Sequence, residues 1–353
     1  MRLLIYEWCC SGGLAGPDRA AVLPPGGDVT MLVREGRAML EALVADARRD
    51  GGFDVVVLVD ESLPLELENE RGVRRIAVPR GGEVETLLAA AREADGAIVV
   101  APETADVLAL RVEAVRAVGG TVLGPSTPFI RRAADKQATI DALAAAGVPV
   151  PAGRSLAAAE AWPAGFRLPA VRKPRSSAGC DGLVVVRPGE RLPCPALVAT
   201  RLEAACDGQA VGVSCLIGPR GVVPVAALGQ RFSAGAFPSY VGGAPLPDPA
   251  TERRAERLAV RAVEAVFRRD PHGARAGWLG VDMILGDRDD GLDDRVLEVN
   301  PRVTTSFAGL AAAAPTSLVR TLVDVARGHD IDRGALPTGC TFTLADDAPA
   351  HAT

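Results

Sequence analysis

Val296-Leu297-Glu298-Val299-Asn300-Pro301-Arg302-Val303-Thr304-Thr305-Ser306 reads as a strand that ends in a polar turn. Leu297 and Val299 alternate with Glu298 and Asn300, the period of two expected of a strand with one buried face. Glu298 and Asn300 therefore point to the same side. Pro301 cannot donate to a ladder, so the strand should stop there and leave Arg302 at the edge of whatever that side faces. Upstream, Gly280-Val281-Asp282-Met283-Ile284-Leu285 is an apolar strand carrying a lone acid. The acidic turn Asp287 to Asp294 separates the two as a hairpin connection would. Paired antiparallel, the strands bring Asp282, Glu298 and Asn300 to one face. An acid on a strand ordinarily faces water, and Asn-Pro ordinarily makes a turn. Two such strands in sequence with matching parity argue instead for a cation site. Three oxygen ligands with no thiol or imidazole suit Mg²⁺, with Mn²⁺ as the alternative, in a shell completed by phosphates and water. A calcium loop running from Asp287 to Glu298 is excluded, because Leu292 stands where that loop needs glycine.

The rest of the composition narrows the function classes. The chain has 353 residues, 48% hydrophobic and 24% charged, enough for two or three compact domains with sizeable cores. A net charge of −5 without a basic block gives no electrostatic footprint for nucleic acid. No apolar run reaches the roughly 18 residues of a membrane span. Seven scattered cysteines without a C-x-x-C suggest reduced thiols in a cytoplasmic protein. Only three histidines occur, none in the acidic strands, which argues against His-based catalysis or zinc.

Residues 1–130 alternate strand and helix, the pattern of a parallel sheet that binds ligands at the carboxyl ends of its strands. The strand Leu3–Trp8 runs into Cys10-Ser11-Gly12-Gly13, which reads equally as a ligand contact and as a plain loop. It lacks the G-x-G-x-x-G spacing of a dinucleotide site. A helix is expected over Arg34–Arg49, a strand over Phe53–Asp60, a helix over Glu103–Val118 and a short strand over Thr121–Gly124. Asp135–Ala146 reads as a helix. Lys173, at the end of an apolar strand, precedes the small-residue loop Ser176-Ser177-Ala178-Gly179-Cys180-Asp181-Gly182, able to bring backbone N–H groups and one point charge to a phosphate. By itself such a loop is more often a surface turn, and it is not a Walker A loop. Val211–Leu216 and Val222–Leu228 read as a hairpin. Gln230–Pro247 has the composition of a mobile covering loop. A long helix is expected from Thr251 to Arg269, capped by Thr251 or Asp248. Two helices, Ser306–Ala314 and Thr316–Arg327, close the fold.

Taken together these parts resemble the ATP-grasp superfamily, and the resemblance covers most of the chain. It implies an α/β and α+β protein: an ATP-grasp fold preceded by a Rossmann-like pre-ATP-grasp domain. The expected division is 1–130 for that first domain, 131–205 for the central part with the phosphate lid, 206–345 for the part with the metal strands, and a disordered tail over 346–353. The resemblance implies ATP as well as Mg²⁺. It places Lys136, Lys173, Ser176, Gly179, Gly182 and Glu203 at the nucleotide, the last as a hinge acid before Gly208. Asp282, Glu298 and Asn300 become the metal ligands. Two departures stand out. Ala210 occupies the place of the usual ribose-binding acid, and Gly277-Trp278-Leu279-Gly280 lacks the arginine often found before the metal aspartate. Arg302, and after it Arg231, are then the candidates for stabilising the transferred phosphoryl group. The stretches Tyr6–Gly13, Tyr240–Pro245 and Asn300–Ser306 look closest to the tyramine–glutamate ligase group. That likeness implies substrate contacts at Gly12, Gly13, Tyr240, Gly242 and Gly243. The implied partners are a small-molecule carboxylate, such as L-glutamate, and an amine, joined through an acyl phosphate. Neither nucleic acid nor membrane is expected as a partner, and a homodimer is left open. D-alanine–D-alanine ligation, carbamoyl phosphate formation and a non-catalytic nucleotide-binding role are the alternatives.

Overall fold

β-branched and leucine-rich runs with no polar alternation make strands buried on both faces, and the first third of the chain is built on them. In the computed structural model, which describes residues 1–23, 29–62, 72–177, 182–233 and 240–344, β1 (Arg2–Glu7), β2 (Asp54–Asp60), β3 (Val73–Val78) and β4 (Gly96–Val100) form a parallel sheet in the order β3-β2-β1-β4. Five of the six residues of β1 and all of β4 are buried. The expected strand Thr121–Gly124 contributes only one bridge, between Ala97 and Val122. The expected Glu103–Val118 helix starts late, as Val107–Ala117, after a 3-10 turn in which Ala105 and Asp106 have positive φ.

A second, antiparallel sheet contains β5 (Gly153–Leu156), β6 (Ala170–Pro174), β7 (Val184–Val186) and β8 (Thr200–Ala204), ordered β5-β8-β6-β7. The third is also antiparallel: β9 (Gln209–Gly218), β10 (Gly221–Phe232), β11 (Tyr240–Pro245), β12 (Gly277–Leu285), β13 (Arg295–Asn300) and β14 (Phe342–Thr343), ordered β13-β12-β9-β10-β11-β14. One face carries the helix Pro249–Phe267. Asp248 caps it, accepting from the Ala250 and Thr251 amides, and Leu258, Ala262, Ala265 and Val266 are buried beneath it.

The described part of the stretch read as a covering loop over Gln230–Pro247 is mostly sheet: β10 runs on to Phe232 and pairs with β11. Gly242 and Gly243 serve close packing rather than hinging. Gly242 has φ +147°, and a Cβ there would collide with the Phe342 carbonyl of β14. Loop composition misled because glycine in a strand marks the close approach of another backbone as readily as a turn. Residues 234–239 lie outside the described residues, as does the expected tail.

The two ends of the chain interlock. The helix Thr30–Asp50 packs on the closing helices Ser306–Ala313 and Leu318–Ala326, sharing one core with Phe307, Leu310, Leu318 and Leu322. Buried Asp46 accepts from Ser317 Oγ (2.8 Å) and the Val319 amide (2.7 Å), and Arg320 pairs with Asp50 at 2.7 Å. No single helix among the described residues is long and apolar enough to cross a membrane. The six described cysteines are free.

Candidate active site

β12 and β13 pair in the register that joins the two acidic positions, with Asp282 opposite Glu298 and Gly280 opposite Asn300. The side chains meet as strand parity requires. Asn300 Nδ2 donates to Asp282 Oδ2 at 2.8 Å, and Gln230 Nε2, from β10, donates to Asp282 Oδ1 at 2.8 Å. Burial, and then the facing charge of Glu298, pushes the Asp282 carboxyl up from its usual range. Burial opposes ionisation of Glu298 as well, but Lys136 and Lys173 outweigh it and hold that carboxyl below its ordinary value.

Both lysines come from upstream. Lys136 is the first residue of the helix Lys136–Ala145, whose cap, Asp135, accepts from the Gln137 and Ala138 amides. Its Nζ lies 3.2 Å from Glu298 Oε2 and donates to the Ser177 carbonyl at 2.9 Å. Lys173, on β6, pairs with Glu203 at 2.8 Å and donates to the Leu297 carbonyl at 3.4 Å. Lys136 and Lys173 are only 5% and 6% exposed, so these are ammonium groups kept dry beside carboxylates rather than solvated surface charges.

These groups line one cavity of about 350 Å³. It takes in Lys136, Lys173, Asp282, Glu298, Asn300 and Arg302, together with Gln230, Ser214 and Thr304–Ser306. Arg302 ion-pairs with buried Glu103 at 2.9 Å and donates to the Val303 carbonyl at 3.1 Å. Among the expected substrate contacts, Tyr240 lines the cavity, and burial raises its hydroxyl pKa.

Other expected residues stand elsewhere. Glu203 lies beneath Lys173, and Ser176 Oγ donates to the Glu103 carbonyl, so Ser177 rather than Ser176 faces the cavity. Arg231 follows Gln230 on the same strand and so projects from the other face. It holds β14 through the Phe342 carbonyl and Thr343 Oγ1. Gly182 has φ +68°, and a Cβ there would come within 2.7 Å of the Pro174 ring, so the loop's return to β6 needs glycine. Gly179 lies outside the described residues. Gly242 and Gly243 pack against β14, and Gly12 and Gly13 are buried beside Val78 and Trp8. A methyl group on Gly13 would strike the fully buried Trp8 indole. Gly13→Ala is therefore expected to destabilise the fold by about 1–3 kcal/mol in urea denaturation while leaving nucleotide KM unchanged. A raised KM at unchanged stability would restore these glycines to the site.

Sequence reading missed Arg201, Gln230 and Glu35. Arg201 is 1% exposed, and its Nε lies 2.9 Å from Glu203 Oε2. The period-two spacing of Arg201 and Glu203 on one strand was its signal. Gln230 was hidden by the loop reading, and Glu35 by its distance along the chain.

The donor set fits a hard divalent cation. Two opposed carboxylates and an amide converge, and Asp282 is held high by burial and then by a neighbouring like charge that a cation would neutralise. Among the described residues no three His, Cys, Asp or Glu side chains gather into a cage. These residues would thus supply part of a shell, of the kind that Mg²⁺ sites finished by phosphates use.

A family model described as an ATP-grasp domain matches residues 133–306, and one described as pre ATP-grasp 3 domain matches 53–130. None of the curated proteins matches the chain. Among solved structures, a protein assigned to the ATP-grasp superfamily from Archaeoglobus fulgidus is similar at TM-score 0.67 and 17% identity, over 98% of this chain and 100% of that one. N5-carboxyaminoimidazole ribonucleotide synthetase from Thermotoga maritima aligns at TM-score 0.62 and 17% identity, over 95% and 78%. L-amino acid ligase from Bacillus licheniformis aligns at 0.63 and 15%, over 95% and 77%.

Proposed function

The chain belongs to the ATP-grasp superfamily, and on that premise we propose that it is an ATP- and Mg²⁺-dependent ligase joining a carboxylate to an amine through an acyl phosphate. The observation that carries this reading is the meeting of Lys136 and Lys173 with Asp282, Glu298 and Asn300 in one cavity. Two dry ammonium groups beside paired carboxylates make a place where a polyphosphate and a divalent cation offset each other's charge.

Each residue then has a role. Lys136 and Lys173 hold phosphate oxygens, and Glu203 with Arg201 fixes Lys173 from behind. Asp282, Glu298 and Asn300 would hold Mg²⁺, and such an ion would supply positive charge to offset that of a transferring phosphoryl group. Arg302, anchored by Glu103, faces the cavity from the strand end and steadies the negative charge of the substrate carboxylate and its adduct. Gln230 and Asn300 fix the orientation of Asp282. An acyl phosphate hydrolyses in water, so the reaction calls for a site closed to solvent during turnover. No protein nucleophile is needed.

L-glutamate is the carboxylate and tyramine the amine we propose first, on the likeness of Tyr6–Gly13, Tyr240–Pro245 and Asn300–Ser306 to tyramine–glutamate ligases. The expected setting is the cytoplasm. Ligation of two D-alanines or carbamoyl phosphate formation would use the same nucleotide residues and differ in product. The test crosses L-glutamate, D-alanine and bicarbonate against tyramine and other amines, reading ADP release and product mass. ADP release that requires both glutamate and an amine, with an amide of matching mass, is the expected result. ATP turnover indifferent to every carboxylate and amine would overturn the reading.

A further inference from the structure

Six charged side chains line the cavity: Glu35, Lys136, Lys173, Asp282, Glu298 and Arg302. Five are engaged with other groups of the chain. Lys136 meets Glu298, Lys173 meets Glu203, Asp282 accepts from Asn300 and Gln230, and Arg302 pairs with Glu103. Glu35 is the exception: among the described residues no donor hydrogen-bonds its carboxylate and no cation ion-pairs with it. Arg302 is the foremost positive charge acting on it, but that guanidinium is already taken up by Glu103 and the Val303 carbonyl.

The position of Glu35 is built rather than incidental. It lies in the helix Thr30–Asp50, which the contacts of Asp46 and Asp50 with the closing helices hold over the cavity. The next residue, Gly36, sits so close to β1 that a Cβ on it would lie 2.6 Å from the Glu7 carboxyl. The backbone that carries Glu35 is thereby pinned. Phe232 and Tyr240 line the same cavity, ring centroids 6.0 Å apart at 70°, and Tyr240 feels the charge of Glu35. An unpaired carboxylate beside an aromatic wall matches an organic ammonium group, which takes a charge-assisted hydrogen bond from one and a cation–π contact from the other.

We infer that Glu35 is the binding residue for the ammonium group of the acceptor amine, with Phe232 and Tyr240 as the wall along its carbon skeleton. This rests on the ligase reading above and narrows it to acceptors that arrive as cations. The bound ammonium first gives one proton to the Glu35 carboxylate, and the freed nitrogen lone pair forms the C–N bond. The acyl C–O bond breaks, and phosphate leaves with that electron pair, taking the second proton that the nitrogen sheds. Burial raises the pKa of Glu35, which makes it a better proton acceptor than a solvated carboxylate.

The test compares two nucleophiles in the full-length protein with ATP, Mg²⁺ and L-glutamate at neutral pH. Hydroxylamine, small and uncharged there, traps an acyl phosphate as a hydroxamate without needing an ammonium site. Tyramine and the other amines of the panel are cationic. Glu35→Gln is expected to raise the KM for the best amine at least about tenfold. Hydroxamate formation and nucleotide KM should stay at wild-type values, and Glu35→Asp should recover part of the loss. An unchanged amine KM in Glu35→Gln overturns the assignment. Hydroxamate formation by the wild type, without turnover of any cationic amine, also overturns it and leaves the ligase reading intact. No hydroxamate from the wild type overturns both.

Discussion

Glu298→Gln is expected to leave the protein folded and to lower ATP-dependent turnover by about three orders of magnitude, the scale of several kcal/mol of lost charge stabilisation. Glutamine keeps the shape and hydrogen-bonding reach of the side chain but removes the charge that Lys136 approaches to 3.2 Å. Two effects on stability oppose each other. Lys136 loses its carboxylate partner, although its bond to the Ser177 carbonyl survives. Asp282 meanwhile loses the like charge that, after burial, does most to raise its pKa, and it ionises more readily. The denaturation midpoint should therefore move little while kcat collapses. A variant with near-normal amine-dependent ADP release would remove Glu298 from the chemistry.

The largest stability effect is expected at Glu203. Its carboxylate sits between Lys173 at 2.8 Å and Arg201 at 2.9 Å, and all three residues are at most 6% exposed. Two of them face each other across the sheet, since Lys173 pairs with Arg201 in the register of β6 and β8. Glu203→Ala leaves two dry cations side by side, and breaking a buried pair in this way costs about 3–5 kcal/mol. Arg201 keeps the Gln137 side chain and the Pro151 carbonyl, so Lys173 is the group that moves. Nucleotide KM should rise with the loss of stability. Urea denaturation and nucleotide titration of the variant measure both. A stability loss below about 1 kcal/mol would show that water reaches the pair and screens it.

Much of this was legible in the residues. Strand parity, together with a short acidic turn, is local information, so the meeting of Asp282, Glu298 and Asn300 followed from the sequence. Lys136 was marked only by the resemblance to the ATP-grasp superfamily, and Lys173 by the apolar strand it ends. What misled was composition without context. The glycines around Tyr240 suggested a loop, but they accommodate β14, a partner strand about a hundred residues downstream. The small residues after β1, read equally as a ligand contact and as a plain loop, pack beside Val78 and Trp8.

By itself, then, the sequence determined most of the elements and the shared face of Asp282, Glu298 and Asn300, because backbone periodicity depends only on neighbouring residues. Tertiary structure decided which of those faces share a cavity. Arg231 and Gln230 are adjacent in the chain, yet only Gln230 reaches the site, since the strand pleat sends them to opposite sides. Glu35 is 263 residues from Glu298, and nothing near it in sequence announces a role. It lines the same cavity because the first long helix is locked against the last two by buried hydrogen bonds and a shared apolar core. Such packing depends on complementary surfaces from both ends of the chain, a property of the assembled core that no local pattern carries.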